Sequence, residues 1–415
     1  MKIEETIRKD GLRIVSASIP TQKKVYVSVT CMTGFIYDPA DKQGLSHFFE
    51  HMAFKGTKKR SAAEVRAFIG KNFLSSNAST SRMFIDYYGS GVAHKLPLMV
   101  DLLCDIYLNP TYPAAELQKE KNAVLLERAR NYDDDGYLAH RAARENLWRS
   151  NPMRSEGVGT EDGMKNITRA DLLALKKLWH VPSNTLIFGA GKLTHSELVA
   201  HVNKYFPVGS GEVTHEKWDE ELELPPVKKR IEIKKPKRNK AMVVVAAKTP
   251  WDITEKEDAT TSILWRLLMS GTNSRLFREI REKRGLAYAV GGSGSVTYGL
   301  GAYIYAYAET DAKNIGKVER LMKRALNAPL KNKKDFADAK ERELDSISLE
   351  DDNSLGVWES LSWEYLVKGK PIKDIAGYYK KMEKLLKRVT LHDVEVLRKK
   401  DFKLERFVTV VVKPE

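Results

Sequence analysis

His47 and His51 stand four residues apart in the run His47-Phe48-Phe49-Glu50-His51. On a helix that spacing sets both imidazoles on one face, ~6 Å apart at their Cβ atoms. Two nitrogens so placed can converge on one tetrahedral zinc ion. Glu50, one residue before the second histidine, points to the side of the pair. There its carboxylate can take a proton from a water that the metal has acidified toward a pKa of about 7. Phe48, Phe49, Met52 and Phe54 surround the motif with apolar side chains, so the helix is expected to be buried. Two histidines and a glutamate facing a core are costly without a metal or polar partners. A catalytic zinc site needs a third protein ligand. The segment from Glu120 to Glu127 offers two carboxylates seven residues, or two helical turns, apart on one face. Spacing alone leaves open whether either is a ligand or both are ordinary exposed helix glutamates.

An H-x-x-E-H run followed by a helix with two glutamates seven apart is the inverzincin signature. With 127 − 51 = 76 residues from the second histidine to the last glutamate, the chain resembles the pitrilysin (insulysin-type) metallopeptidase family. It is most similar to the half-length subfamily that includes the mitochondrial processing peptidase. The resemblance implies one zinc ion per chain, held by His47, His51 and Glu127, with Glu50 as general base. Glu120 is then the carboxylate that orients a ligating imidazole. Asn77-Ala78-Ser79-Thr80-Ser81 resembles the family's edge strand, which implies that Asn77, Ala78 and Ser79 pair with an extended peptide substrate through backbone groups. Residues 72–76 replace the usual glycine-rich approach to that strand, and Met83 stands where a glutamate is usual. Both departures bear on substrate preference and leave the chemistry intact. In the second half, Arg281 and Tyr288 resemble the family's Arg-x6-Tyr element. This implies that Arg281 binds a substrate carbonyl and Tyr288 donates to the oxyanion. Arg284 is the competing arginine, at the wrong spacing. Tyr137 and Arg141 occupy the positions where the mitochondrial enzyme carries acidic residues that read a substrate arginine. Arginine-directed cleavage is therefore not implied.

Positioning these residues takes a sizeable frame. The 415 residues exceed one ordinary core and suit two or three domains. Strands are expected near 12–19, 24–32, 76–88, 184–191, 241–247, 287–296, 301–309 and 406–412. Helices are expected at 44–55, 62–69, 96–108, 114–131, 138–148, 196–205, 256–269 and 274–283. Ser46 is the candidate cap of the first helix, and Ser61 with Glu64 forms a capping-box pattern. The strand-then-helix order recurs after a stretch of Gly, Ser and acidic residues. The expected fold class is therefore α+β, with two homologous domains, each a mostly antiparallel sheet flanked by helices. The expected boundaries are 1–210 for a metal-binding domain, 211–228 for a linker and 229–415 for the domain carrying Arg281 and Tyr288.

The net charge of +15 raises nucleic acid as a partner, but the basic stretch 228–240 alternates with Ile231, Ile233 and Glu232 and reads as a solvated strand edge. No nucleic-acid partner is expected. No apolar run reaches the ~20 residues of a membrane span, and no membrane partner is expected. Two cysteines, Cys31 and Cys104, in apolar company suit buried thiols and a cytoplasmic location. The expected activity is a zinc-dependent endopeptidase acting on short unfolded peptides in a closed chamber. Its alternatives are a non-catalytic core or assembly subunit and a maturation protease working as one half of a heterodimer. Because the metal motif and the Arg/Tyr element share one chain, a homodimer is the expected assembly.

Overall fold

The computed structural model describes residues 1–250, 253–297, 299–349 and 375–415, and they gather into two compact units. The first unit comprises residues 1–129 and 156–216. Its sheet holds β1 (Lys2–Ile7), β2 (Arg13–Ser18), β3 (Lys24–Cys31), β4 (Ser75–Thr80), β5 (Ile85–Val92) and β6 (Thr185–Gly191), in the spatial order β1-β2-β6-β3-β5-β4. Only β2 and β6 run parallel. Val25, Val27 and Val29 alternate along β3 and are fully buried, as a period of two requires for one packed face. The helices up to residue 205 are α1 (Leu45–Ala53), α2 (Ala62–Asn72), α3 (Leu96–Leu108), α4 (Ala114–Asp133), α5 (Asp135–Leu147), α6 (Glu161–Asn166), α7 (Arg169–Trp179) and α8 (His195–Tyr205), and of these α5 falls in the second unit. α8 rests on the sheet where β6 carries Gly189, since a Cβ there would come within 2.9 Å of Leu198.

The second unit comprises residues 130–155 and 217–349 with 377–415. Its strands are β7 (Arg230–Lys235), β8 (Ala241–Thr249), β9 (Ala287–Thr297), β10 (Gly301–Thr310) and β11 (Val408–Pro414), ordered β7-β11-β8-β10-β9. β7 and β11 are the parallel pair. Leaving β1 aside, the first sheet reads β2-β6-β3-β5-β4, which is the same topology strand for strand. The two sheet-plus-helix domains are therefore a structural repeat. Val243, Val245 and Ala247 turn one face of β8 into a core shared with α9 (Glu255–Leu268), α10 (Ile315–Asn327), α11 (Lys333–Ser348), α12 (Ile375–Arg388) and α13 (Leu391–Asp401). A π-helical turn, Phe277–Glu282, precedes β9.

The units cut across chain order. Residues 130–155 lie within the expected 1–210 domain, yet α5 belongs to the second unit. The stripe Leu138, Ala139, Ala142, Ala143 and Leu147 is buried, and the helix packs against β8 and β11. The expected linker is pinned rather than loose. His215 bonds to Tyr37 Oη (2.9 Å) and Asn184 Oδ1 (3.0 Å). The Glu221 carboxylate accepts from the amides of Arg149, Ser150 and Asn151 at 2.7–2.9 Å. The apparent single run 76–88 is two strands, because Ser81 turns the chain. Its hydroxyl accepts from the amides of Met83 and Phe84, and its own amide bonds back to Phe84 O. Asp133 and Asp135 are ion-paired with Lys235 and Arg238. Cys31 and Cys104 are free and buried, and no described helix is long and apolar enough to cross a membrane.

Candidate metal centre

α1 begins where Gly44 adopts a left-handed conformation, φ +99°, which a side chain would strain. Ser46 does not cap the helix. The cap comes from Asp38, whose carboxylate accepts from Gly44 N, Ser46 N and Ser46 Oγ at 2.9, 2.9 and 2.6 Å. A carboxylate also complements the partial positive charge at a helix start. Phe48, Phe49 and Met52 are fully buried and fix the rotation of α1, so His47 and His51 share the remaining face with ring centroids 4.6 Å apart.

Glu127 of α4 meets them there. Its Oε2 lies 3.7 Å from His47 Nε2 and 3.6 Å from His51 Nε2. Both separations exceed a hydrogen bond's usual 3.2 Å limit. They approach the ~3.4 Å between ligand atoms of a tetrahedral ion with bonds of about 2.0–2.2 Å. Three donor atoms thus face one point without bonding one another, and nitrogen, nitrogen and carboxylate oxygen are ligands that zinc accepts. Burial and the neighbouring His51 hold His47 down at about 4, so its imidazole is neutral and its lone pair free. Burial pulls His51 the same way, but its hydrogen bond to Glu120 and the surrounding carboxylates outweigh that and raise it.

Glu120 is buried on α4, and its Oε1 is 2.9 Å from His51 Nδ1. Glu50 is buried, which raises its carboxyl above the usual range, and it accepts a hydrogen bond from Thr80 Oγ1 at 3.2 Å. Thr80 ends β4, and β4 is the outermost strand of its sheet. The Ser81–Phe84 bond fixes which residues face β5. Ser75, Asn77 and Ser79 point their amides inward, and Ser76, Ala78 and Thr80 point theirs to the open edge. Of the three expected pairing residues, Ala78 therefore presents backbone outward, with its side chain buried. Asn77 and Ser79 have exposed side chains.

In the second unit, Arg281 Nη1 donates to Tyr288 O at 2.8 Å, and its guanidinium lies between the rings of Phe277 and Tyr288, 4.9 and 4.6 Å from their centroids. Tyr288 is 79% exposed. Arg284 is committed to Glu279 through two contacts. Three residues that touch the site carry no local signal of it in the sequence. Thr80 reads only as one residue of a strand. Asp38 and Lys55, whose Nζ lies 2.5 Å from Glu120 Oε2, have partners that are set by folding.

The model described as Insulinase (Peptidase family M16) matches residues 13–161, and that described as Peptidase M16 inactive domain matches residues 166–343. A zinc protease of Streptomyces coelicolor is 28% identical over 296 residues, covering 69% of this chain and 63% of its own length. One of Mycobacterium tuberculosis is 30% identical over 290 residues, 68% of this chain and 64% of its own. One of Bacillus subtilis is 27% identical over 352 residues, 83% and 84%. The match spans just under two thirds of the first two relatives. A protease from Helicobacter pylori superposes with a TM-score of 0.88 at 19% identity, covering 100% of this chain and 99% of that one. The periplasmic protease PqqL of Escherichia coli superposes with 0.80 at 17% identity, covering 99% of this chain and 47% of that one. At these identities the likeness is one of fold.

Proposed function

Because the chain belongs to peptidase family M16, we propose that it is a zinc-dependent endopeptidase that hydrolyses short, unfolded peptides, assembled as two copies of the chain. The observation that carries this reading is the convergence of His47, His51 and Glu127 on one point with Glu50 beside them. Zinc held by those three side chains supplies Lewis acidity, which acidifies water and polarises a carbonyl. The chain's own groups do the rest. An extended peptide pairs with the open edge of β4 through the backbone of Ser76, Ala78 and Thr80, so affinity depends little on its sequence. Glu50, whose carboxyl burial raises above its usual range and so makes a stronger base, accepts a proton from the attacking water as a carboxylate and returns it to the leaving amine. The Thr80 hydroxyl keeps that carboxylate aimed. Arg281 and Tyr288 are proposed to bind substrate oxygens, their stacked geometry presenting two donors together.

The test is mass-spectrometric mapping of cleavage in a mixed peptide library, with chelator and after zinc is restored. Cleavage should vanish and return. Glu50→Gln should keep its zinc while turnover falls ~10³-fold. Full cleavage by metal-free protein, or by the glutamine variant, would overturn the reading. Light scattering of the native protein sizes the assembly, and a single copy at working concentration would refute the dimer.

A further inference from the structure

We propose that Lys55 is a positioning residue of the metal site, gripping Glu120 so that Glu120 in turn holds His51; this rests on the zinc reading above. The two imidazoles of the site are not equivalent. His51 Nδ1 has Glu120 Oε1 at 2.9 Å, whereas His47 Nδ1 is buried with no partner among the described residues. Only His51 is therefore oriented by a hydrogen bond. A carboxylate accepting from Nδ1–H fixes the tautomer and leaves the Nε2 lone pair for the metal.

A carboxylate has two oxygens, and its aim is only as good as the hold on both. Lys55 Nζ lies 2.5 Å from Glu120 Oε2. With Oε2 taken by a cation, Oε1 is the oxygen left for His51. Without Lys55, a buried carboxylate would lose its cation and be free to rotate away from the imidazole.

The backbone around Lys55 shows why this contact is built in rather than incidental. Lys55 N donates to Met52 O in the last turn of α1 at 3.2 Å. The next residue, Gly56, sits at φ +124°, and its carbonyl accepts from Thr111 N (3.0 Å) and Thr111 Oγ1 (3.1 Å). Lys58 N then donates to Asn109 O at 3.0 Å. Lys55 is thus fixed on one side by the helix that carries both histidines. On the other it is fixed by the loop that leads into α4, which carries Glu120 and Glu127. Its ammonium spans the two elements whose separation sets the ligand geometry.

Zinc affinity, measured by competition with a chromogenic chelator, tests this without reference to turnover. Lys55→Met should weaken zinc ~10–100-fold, the usual effect of losing a group that orients a ligand, and Lys55→Arg should restore most of the loss. Glu120→Gln should weaken zinc similarly. Adding Lys55→Met to Glu120→Gln should then change affinity by less than about twofold, because the lysine acts only through that carboxylate. The metal-free variants should melt near the metal-free parent. Unchanged zinc affinity in Lys55→Met, additive losses in the double variant, or collapse of the metal-free Lys55→Met fold would each overturn the inference. A parent protein that binds no zinc would instead overturn the zinc reading on which it rests.

Discussion

Asp86 shows how far one buried side chain can tie the fold to pH. It lies on β5 with 3% exposure and accepts from Thr30 Oγ1 at 2.6 Å. Burial pushes its carboxyl up from 3.8 to about 7. A raised acid favours the protonated form in the folded state. Its contribution is then fully present below about 3.8 and is lost as pH rises through about 7. Asp86→Asn should therefore gain melting temperature relative to the parent as pH climbs from 4 to 8. Parallel melting curves across that range would rule out the assignment. At this scale the sequence was most legible where partners are neighbours. His47, Glu50 and His51 announce themselves within five residues, and Ser61 with Glu64 forms its capping box as the pattern implied. Lys55 and Glu120 are 120 − 55 = 65 residues apart, and no local pattern links a lysine after a helix to one glutamate among many.

At the scale of elements, β4 is where the proposed chemistry meets the fold. Its alternating amides make two neighbouring substitutions behave in opposite ways. Proline is tolerated on an edge strand where the lost N–H faces outward. Ala78→Pro should accordingly leave the fold and the zinc intact while raising KM at least ~10-fold, since it removes one donor that a paired peptide would use. Ser79→Pro removes a bond to β5 and should lower the melting temperature instead. Circular dichroism and peptide kinetics on the two variants check this, and equal behaviour would show that the register is wrong. Helices and strands were legible from their periodicities, but the boundary inside 76–88 was not. Alternation continues through Ser81-Arg82-Met83-Phe84, and the turn is made by side-chain bonds of Ser81 and by Phe35 and Ile36, whose amides take the carbonyls of Ser81 and Arg82.

At the scale of the whole chain, the repeat was legible as a recurring order of elements, and the strand order β2-β6-β3-β5-β4 against β7-β11-β8-β10-β9 gives it a physical form. The allegiance of α5 was not legible, because an amphipathic helix does not name the sheet that will cover it. The ligand set carries a consequence for stability. An ion shared by α1 and α4 would close a loop of 76 residues between His51 and Glu127, much as a covalent crosslink shrinks the freedom of an unfolded chain. Neither thiol of this chain is engaged in such a bond, so among the described residues the cation would be the one removable staple. Melting temperature should rise with free zinc, following mass action, and stripping the ion should expose α1 and α4 to a protease before the rest of the first sheet.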